Sequence, residues 1–303
     1  MADNRFKDFP IDYRFPSPGE DVRFANFPID ARFPEPWVDT RFQGDFYGGS
    51  SILALFANNE PGVWYDPSDM STLFADTAGT TPATIGGTVA LMLDKSGNDL
   101  HATQATAASR PTLRQAGTGE YYLEFDGVDD FMVTPTITPG TDKAQVFAGV
   151  RKLSDAVAIL LETSVSISSN QGSLYVVAGA DPSASNRYSS LARGSATPDT
   201  TFIATTNVGN APDTAVITAT HDIAGDLSTI RRNGVVGANG IADKGTGNFL
   251  AYPMYIGRRG GTTLPFNGHL YSLIARFGPN LDAAVIDQVE ALVADKTAGV
   301  TLP

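Results

Sequence analysis

From Trp64 onward the chain alternates short apolar runs with clusters of Gly, Pro, Asn, Asp and Ser. Runs bounded in this way read as β-strands. The pattern predicts strands at Val89–Leu93, Tyr121–Phe125, Phe131–Thr134, Gln145–Val150 and Ala158–Glu162. Further strands are predicted at Leu174–Ala178, Thr214–Ala219, Thr229–Arg232, Met254–Ile256 and His269–Arg276. Asn233-Gly234 sits between Thr229–Arg232 and Val235-Val236, and this dipeptide accepts positive φ at both central positions of a hairpin turn. One stretch changes period. After Asp282, a natural helix cap, Ala284, Val285, Gln288, Val289, Leu292 and Val293 recur at helical spacing, with Asp287, Glu290 and Asp295 outside the stripe. The expected architecture is an all-β sandwich or jelly roll, with a single C-terminal α-helix closing one end of it.

The first fifty residues obey a different rule. Asp-x-Arg-Phe recurs five times at nine-residue intervals, from Asp3-Asn4-Arg5-Phe6 to Asp39-Thr40-Arg41-Phe42. In extended backbone the Asp and Arg of each unit share one face and the Phe takes the other. Intervening prolines disfavour helix, so a nine-residue step reaches at most ~30 Å. No unit can bury its own Phe, and repeats of this kind gain stability by stacking on neighbours or on another surface. The candidate partner-binding residues are therefore Arg5, Phe6, Arg14, Phe15, Arg23, Phe24, Arg32, Phe33, Arg41 and Phe42. Copies winding together as a stalk, an arm laid along a repeating partner, and a disordered Pro-rich tail all fit the pattern. The division expected is an extended arm over residues 1–50 and a sandwich over 51–303.

Composition narrows the function classes. A net charge of −12 and a pI near 4.6 oppose binding that neutralises phosphates, so nucleic acid and anionic membrane are not expected partners. The chain has no Cys, which removes disulfides, thiolate metal sites and cysteine nucleophiles. The N-terminus lacks an apolar signal segment and no stretch reaches the ~18 apolar residues of a membrane helix, so a soluble protein made in the cytosol is expected.

Several segments carry a family resemblance. They are Leu55–Asp69 with its Pro61-Gly62-Val63-Trp64-Tyr65-Asp66-Pro67 centre, Asp94-Lys95-Ser96-Gly97-Asn98 with His101–Gln104 and Arg110-Pro111, and Phe125-Asp126-Gly127-Val128-Asp129-Asp130. Tyr255–Gly261 followed by Phe266-Asn267-Gly268-His269-Leu270-Tyr271 completes the set. Together they resemble the concanavalin A-like, laminin-G-like domains of structural proteins in tailed phages and prophages, across most of residues 52–300. The resemblance implies a concanavalin A-like jelly-roll β-sandwich, and a place among fibre, baseplate, spike or head-decoration components. It implies no single activity. The function expected is a non-enzymatic virion protein, held among other virion proteins by its arm and displaying the sandwich, with a host-surface glycan as candidate ligand. Homo-oligomers are expected, trimers being common among such fibres. The alternatives are a carbohydrate-binding module on a spacer and a glycan hydrolase.

Candidate chemistry is sparse. Asp66, Asp69, Asp126, Asp129 and Asp130 offer hard oxygen ligands to Ca²⁺, with Asp126, Asp129 and Asp130 the candidates kept. No cofactor is otherwise expected. Arg258 and Arg259, ahead of Gly260-Gly261, could grip a carboxylate or acidic sugar, but pairing from loop to core, with a buried Asp, is the expected role. Glu124 and Asp126 share a strand face as paired glycosidase carboxylates do, but Gly127 breaks the strand and no Glu follows before Glu162. His101, His221 and His269 are far apart in sequence and form no metal or triad motif.

Overall fold

A computed structural model describes residues 52–179, 186–196, 203–205 and 209–303. The Asp-x-Arg-Phe units, with Arg5, Phe6, Arg14, Phe15, Arg23, Phe24, Arg32, Phe33, Arg41 and Phe42, lie outside the described residues. In chain order the strands are β1 (Gly62–Tyr65), β2 (Leu73–Phe74), β3 (Leu91–Met92), β4 (Ala102–Thr103), β5 (Thr112–Gln115) and β6 (Tyr121–Asp126). Next come β7 (Met132–Ile137), β8 (Lys143–Lys152), β9 (Ala158–Thr163), β10 (Leu174–Ala178), β11 (Ser189–Ala192) and β12 (Ile203–Ala204). Then follow β13 (Asp213–Asp222), β14 (Leu227–Arg232), β15 (Val235–Gly240), β16 (Tyr252–Ile256), β17 (Asn267–Phe277) and the helix α1 (Ala283–Ala294).

The strands form two antiparallel sheets. Sheet A runs β15-β14-β13-β8-β17-β6-β5, with β1 also on β17, and sheet B runs β12-β11-β10-β9-β16-β7-β4-β3-β2. Alternation explains why they stack. On β8 the buried Ala144, Val146, Ala148 and Val150 point into a common core, joined by Ala215, Ile217 and Ala219 of β13 and by Leu161, Val176, Met254 and Ile256 of sheet B. The architecture is the expected concanavalin A-like jelly-roll sandwich with one C-terminal helix. All ten predicted strands are present, although Val89–Leu93 shortens to the two residues of β3. Strands β1, β2, β4, β5, β11 and β12 were not expected; their runs are four residues or fewer, too short for a period to show.

Turn chemistry follows the sequence closely. Asn233 and Gly234 take φ of 51° and 77° between β14 and β15, the geometry of a hairpin turn with positive φ at both positions. In the segment Asp94–Asn98 the Asp94 carboxylate accepts the amides of Trp64, Ser96 and Leu100, and Asn98 donates to the carbonyls of Glu60 and Gly62. A side-chain-capped turn thus clamps the start of β1.

The helix departs from expectation in two respects. It lies on the outer face of sheet A, against Phe147, Val216 and Ile274, instead of closing an end of the sandwich. The cause is that β8, β13 and β17 are buried on both faces over most of their length, so sheet A needs cover on its outer side. Close approach is permitted by Gly149, whose place would otherwise put a Cβ into the Thr297 hydroxyl. The buried stripe is also rotated from the expected one: Ala284 and Gln288 are exposed, while Glu290 is buried and paired with Arg231 at 2.9 Å. Asp282 occupies the N-cap position, but its side chain makes no capping bond.

Candidate functional site

Beyond the reach of α1, the outer face of sheet A carries polar and aromatic residues. The ladder aligns Thr112 of β5, Glu124 of β6, His269 of β17 and Arg151 of β8 in one cross-strand row. Strand alternation adds Tyr122 and Arg114, opposite one another on β6 and β5. A bulge between Leu270 and Ser272 leaves His269 and Tyr271 outward, then shifts the phase so that Leu273, Ala275 and Phe277 return to the core. The rings of Tyr122 and His269 stack with centroids 4.0 Å apart, and Tyr271 tilts against Tyr122 at 5.2 Å.

The charges on this shelf are distributed unevenly. Glu124 is held by the Arg114 guanidinium at 2.5 Å. Arg151 forms no ion pair or side-chain hydrogen bond among the described residues, and its Nε is buried without a partner. His269 is 9% exposed, and its Nδ1 is likewise buried and unpartnered. Burial holds the imidazole down, to a pKa of about 4, against the pull of nearby Glu124, and Arg151 and Arg114 lower it further. It is therefore neutral at pH 7. Burial, with Tyr122 beside it, raises the Tyr271 phenol to about 12. A cleft of about 320 Å³ opens at the β5–β6 turn, lined by Ser68, Thr118, Gly119, Glu120, Tyr121 and Lys296.

The β6–β7 turn forms the adjoining rim. Asp126, Asp129 and Asp130 converge there, with carboxylate oxygens within 4.8 Å of one another. Their hydrogen bonds account for the turn: Asp126 Oδ1 accepts the amides of Val128, Asp129 and Asp130, Asp129 accepts the Ser109 hydroxyl, and Asp130 accepts the Asp126 amide. Gly127 supplies the positive φ of 76°. The cluster could hold a metal ion; Ca²⁺ takes six to eight oxygens, so carbonyls or water would have to complete the set beyond these three carboxylates. Burial, with Asp126 next, lifts the Asp130 carboxyl to about 7. Asp66 and Asp69 do not join this cluster; Lys296 pairs with Asp66 at 2.8 Å, and Lys95 with Asp69 at 2.7 Å.

Arg258 and Arg259 are engaged within the fold. Arg258 donates to the carbonyls of Asp129 and Thr262. Arg259 Nε bonds Glu162 at 2.7 Å on the outer face of sheet B, and its guanidinium lies 5.8 Å from the centre of the Tyr175 ring. Pairing from loop to core is thus present for Arg259, with the buried Glu162 in place of the expected Asp. His221 faces inward instead, its two ring nitrogens each 2.8 Å from a serine hydroxyl, Ser190 of sheet B and Ser228 of sheet A. It ties the two sheets together.

No family model and no curated protein matches the sequence. Solved structures do. An arabinofuranosidase complexed with arabinofuranosyl-α-1,2-xylobiose aligns with TM-score 0.51 and 14% identity over 79% of this chain and 64% of its own. The botulinum neurotoxin serotype D binding domain aligns with TM-score 0.51 and 9% identity over 77% of this chain and 52% of its own. A botulinum neurotoxin type C structure, described by cell entry dependent upon two ganglioside molecules, gives TM-score 0.50 and 13% identity over 78% and 52%. The likeness establishes the fold. This chain spans about half the length of the neurotoxin chains it matches.

Arg151, Tyr122, His269 and Tyr271 were not singled out from the sequence as a group. The signal was the period-two run Tyr122-x-Glu124-x-Asp126 and the pair His269-x-Tyr271, polar or aromatic on the outward parity of strands whose other parity is apolar.

Proposed function

We propose that this chain is a non-catalytic structural protein of a virus-like particle, anchored by its N-terminal repeats and presenting the sandwich for contact with surface glycans. The repeats and the resemblance to phage structural domains support the first half of this reading. The second half is carried by one observation: the stacked Tyr122 and His269 rings, with the buried Tyr271 tilted against Tyr122, stand beside Glu124, Arg114 and Arg151 on the part of the sheet face beyond the helix. Aromatic surface with a few placed polar groups is the chemistry of a small-ligand or sugar site. Neighbours that interact with gangliosides or bind an arabinofuranosyl-xylobiose share the sandwich, which adds weight of analogy only.

Of the two carboxylates on one strand face, Glu124 is neutralised by Arg114, and Asp126 is engaged by turn amides. That arrangement supports binding over hydrolysis. One observation favours a glycan hydrolase, the Asp130 carboxyl raised to about 7 beside three other acids, as a general acid requires. Glycan-array binding of the full chain, paired with reducing-end release on every glycan that binds, tests both readings. Binding without release, reduced in Tyr122→Ala, is the expected result. Release that is lost in Asp130→Asn would replace this reading with the hydrolase.

A further inference from the structure

We propose that the shelf on sheet A binds a sugar bearing a carboxylate, with Arg151 as the partner of that carboxylate and the Tyr122 and His269 rings beside it. This inference rests on the glycan-contacting reading above and names its ligand class.

The starting point is a charge without a counter-charge. Arg114, Arg231, Arg232, Arg259 and Arg276 are each paired with a carboxylate. Arg110, Arg193 and Arg258 donate to backbone carbonyls instead, whereas Arg151 and Arg187 have neither kind of partner among the described residues, and of these two it is Arg151 that stands in the Glu124–His269 row. Its Nε is buried, but its terminal nitrogens are not closed off in this way, so the end of the guanidinium is open to an anion from outside. Beside it in the ladder stands His269, nine-tenths buried, with an unpartnered Nδ1. Both of these atoms, Arg151 Nε and His269 Nδ1, are closed off from solvent, so the part a ligand can reach is the terminal end of the Arg151 guanidinium, set next to His269 in the ladder.

The arrangement also selects the kind of ligand. A planar guanidinium matches a carboxylate through two parallel hydrogen bonds. The neutral imidazole suits a hydroxyl better than a second anion. On the far side Arg114 is already paired with Glu124, whose carboxylate accepts hydrogen bonds, so the anionic group belongs at the unpaired Arg151 end and hydroxyls at the Glu124 end. From β6 to β8 is about 10 Å, two interstrand spacings, which accommodates a sugar ring with its substituents. The net charge of −12 opposes indiscriminate adhesion to acidic polymers, leaving selectivity to this local contact.

The test is isothermal titration calorimetry of the full chain with trigalacturonate and sialyllactose, each beside its carboxyl-reduced counterpart, and with a sulfated disaccharide. At least one carboxylated sugar should bind about tenfold more tightly than its reduced form. Arg151→Gln should erase that difference, Arg151→Lys should retain part of it, and the unfolding midpoint of Arg151→Gln should not fall. Equal affinity for acidic and reduced sugars would overturn the inference while leaving glycan contact intact. Preference for the sulfated sugar would overturn the carboxylate assignment. Absence of binding to these sugars and to a broad neutral array would remove both readings. Loss of folding in both Arg151 variants would make Arg151 structural and end the proposal.

Discussion

Replacing Arg259 by Met tests whether that side chain belongs to the fold or to a ligand. Met preserves most of the aliphatic length and removes every donor. Glu162, with no exposed surface, would then keep only the Ile167 amide on Oε1 and lose the guanidinium at 2.7 Å from Oε2. Breaking a buried pair by removing one partner costs about 3–5 kcal/mol, because the remaining charge is uncompensated. Arg259 is one-fifth exposed, so the lower end applies, about 3 kcal/mol. For a domain of this size that corresponds to roughly 6–12 °C in Tm. The pH dependence has a definite sign. Burial already raises the Glu162 carboxyl above its ordinary value even with Arg259 present, and loss of the guanidinium raises it further. The folded state then holds a proton that the unfolded state releases, so stability falls as pH rises toward the folded pKa. The deficit should therefore be smaller at pH 5 than at pH 8. Urea denaturation followed by tryptophan fluorescence at both pH values measures it, and Glu162→Gln added to Arg259→Met should recover most of the loss. An Arg259→Met variant within about 0.5 kcal/mol of the parent at pH 8 would refute the reasoning and return Arg259 to the pool of ligand-binding groups.

Three further outcomes are expected, two from the structure and the last from the N-terminal repeats. Burial, with Lys244 nearby, lowers the His221 pKa to about 3; its contribution is complete above the unfolded value of 6.5 and is lost as pH falls, by at most about 5 kcal/mol, and His221→Asn should flatten that part of a stability–pH curve. Gly149→Ala should lower stability by about 1–3 kcal/mol because its Cβ meets the Thr297 hydroxyl, and Thr297→Ala in the same chain should restore part of it, both read by chemical denaturation. Light scattering should find the full chain oligomeric and residues 49–303 monomeric; two monomers would assign the arm to a different protein partner.

The sandwich was legible because its strands carry apolar residues on at least one parity and end at turns whose chemistry is local. Asn233-Gly234 and Asp94–Asn98 specify their own geometry within five residues. The placement of α1 was hidden because it depends on which strands stack at the sheet centre. In hindsight, the near-continuous apolar runs of β8 and β17, which no single-faced strand requires, marked the covered face. The acidic turn was visible as a cluster in sequence, and its three carboxylates do converge. The shelf was not visible. His269 lies more than a hundred residues along the chain from both Glu124 and Arg151, and the three meet only through the β6-β17-β8 pairing, which no local pattern encodes. Arg258 and Arg259 stood out for the opposite reason: two adjacent arginines are conspicuous in a sequence, yet conspicuous charges are often spent on internal partners.

A crystal structure of the full chain soaked with trigalacturonate or sialyllactose would locate the ligand directly. Sugar density against Tyr122 and His269, with its carboxylate on the Arg151 guanidinium, is the predicted result; ordered sugar elsewhere, with the shelf empty, would contradict it.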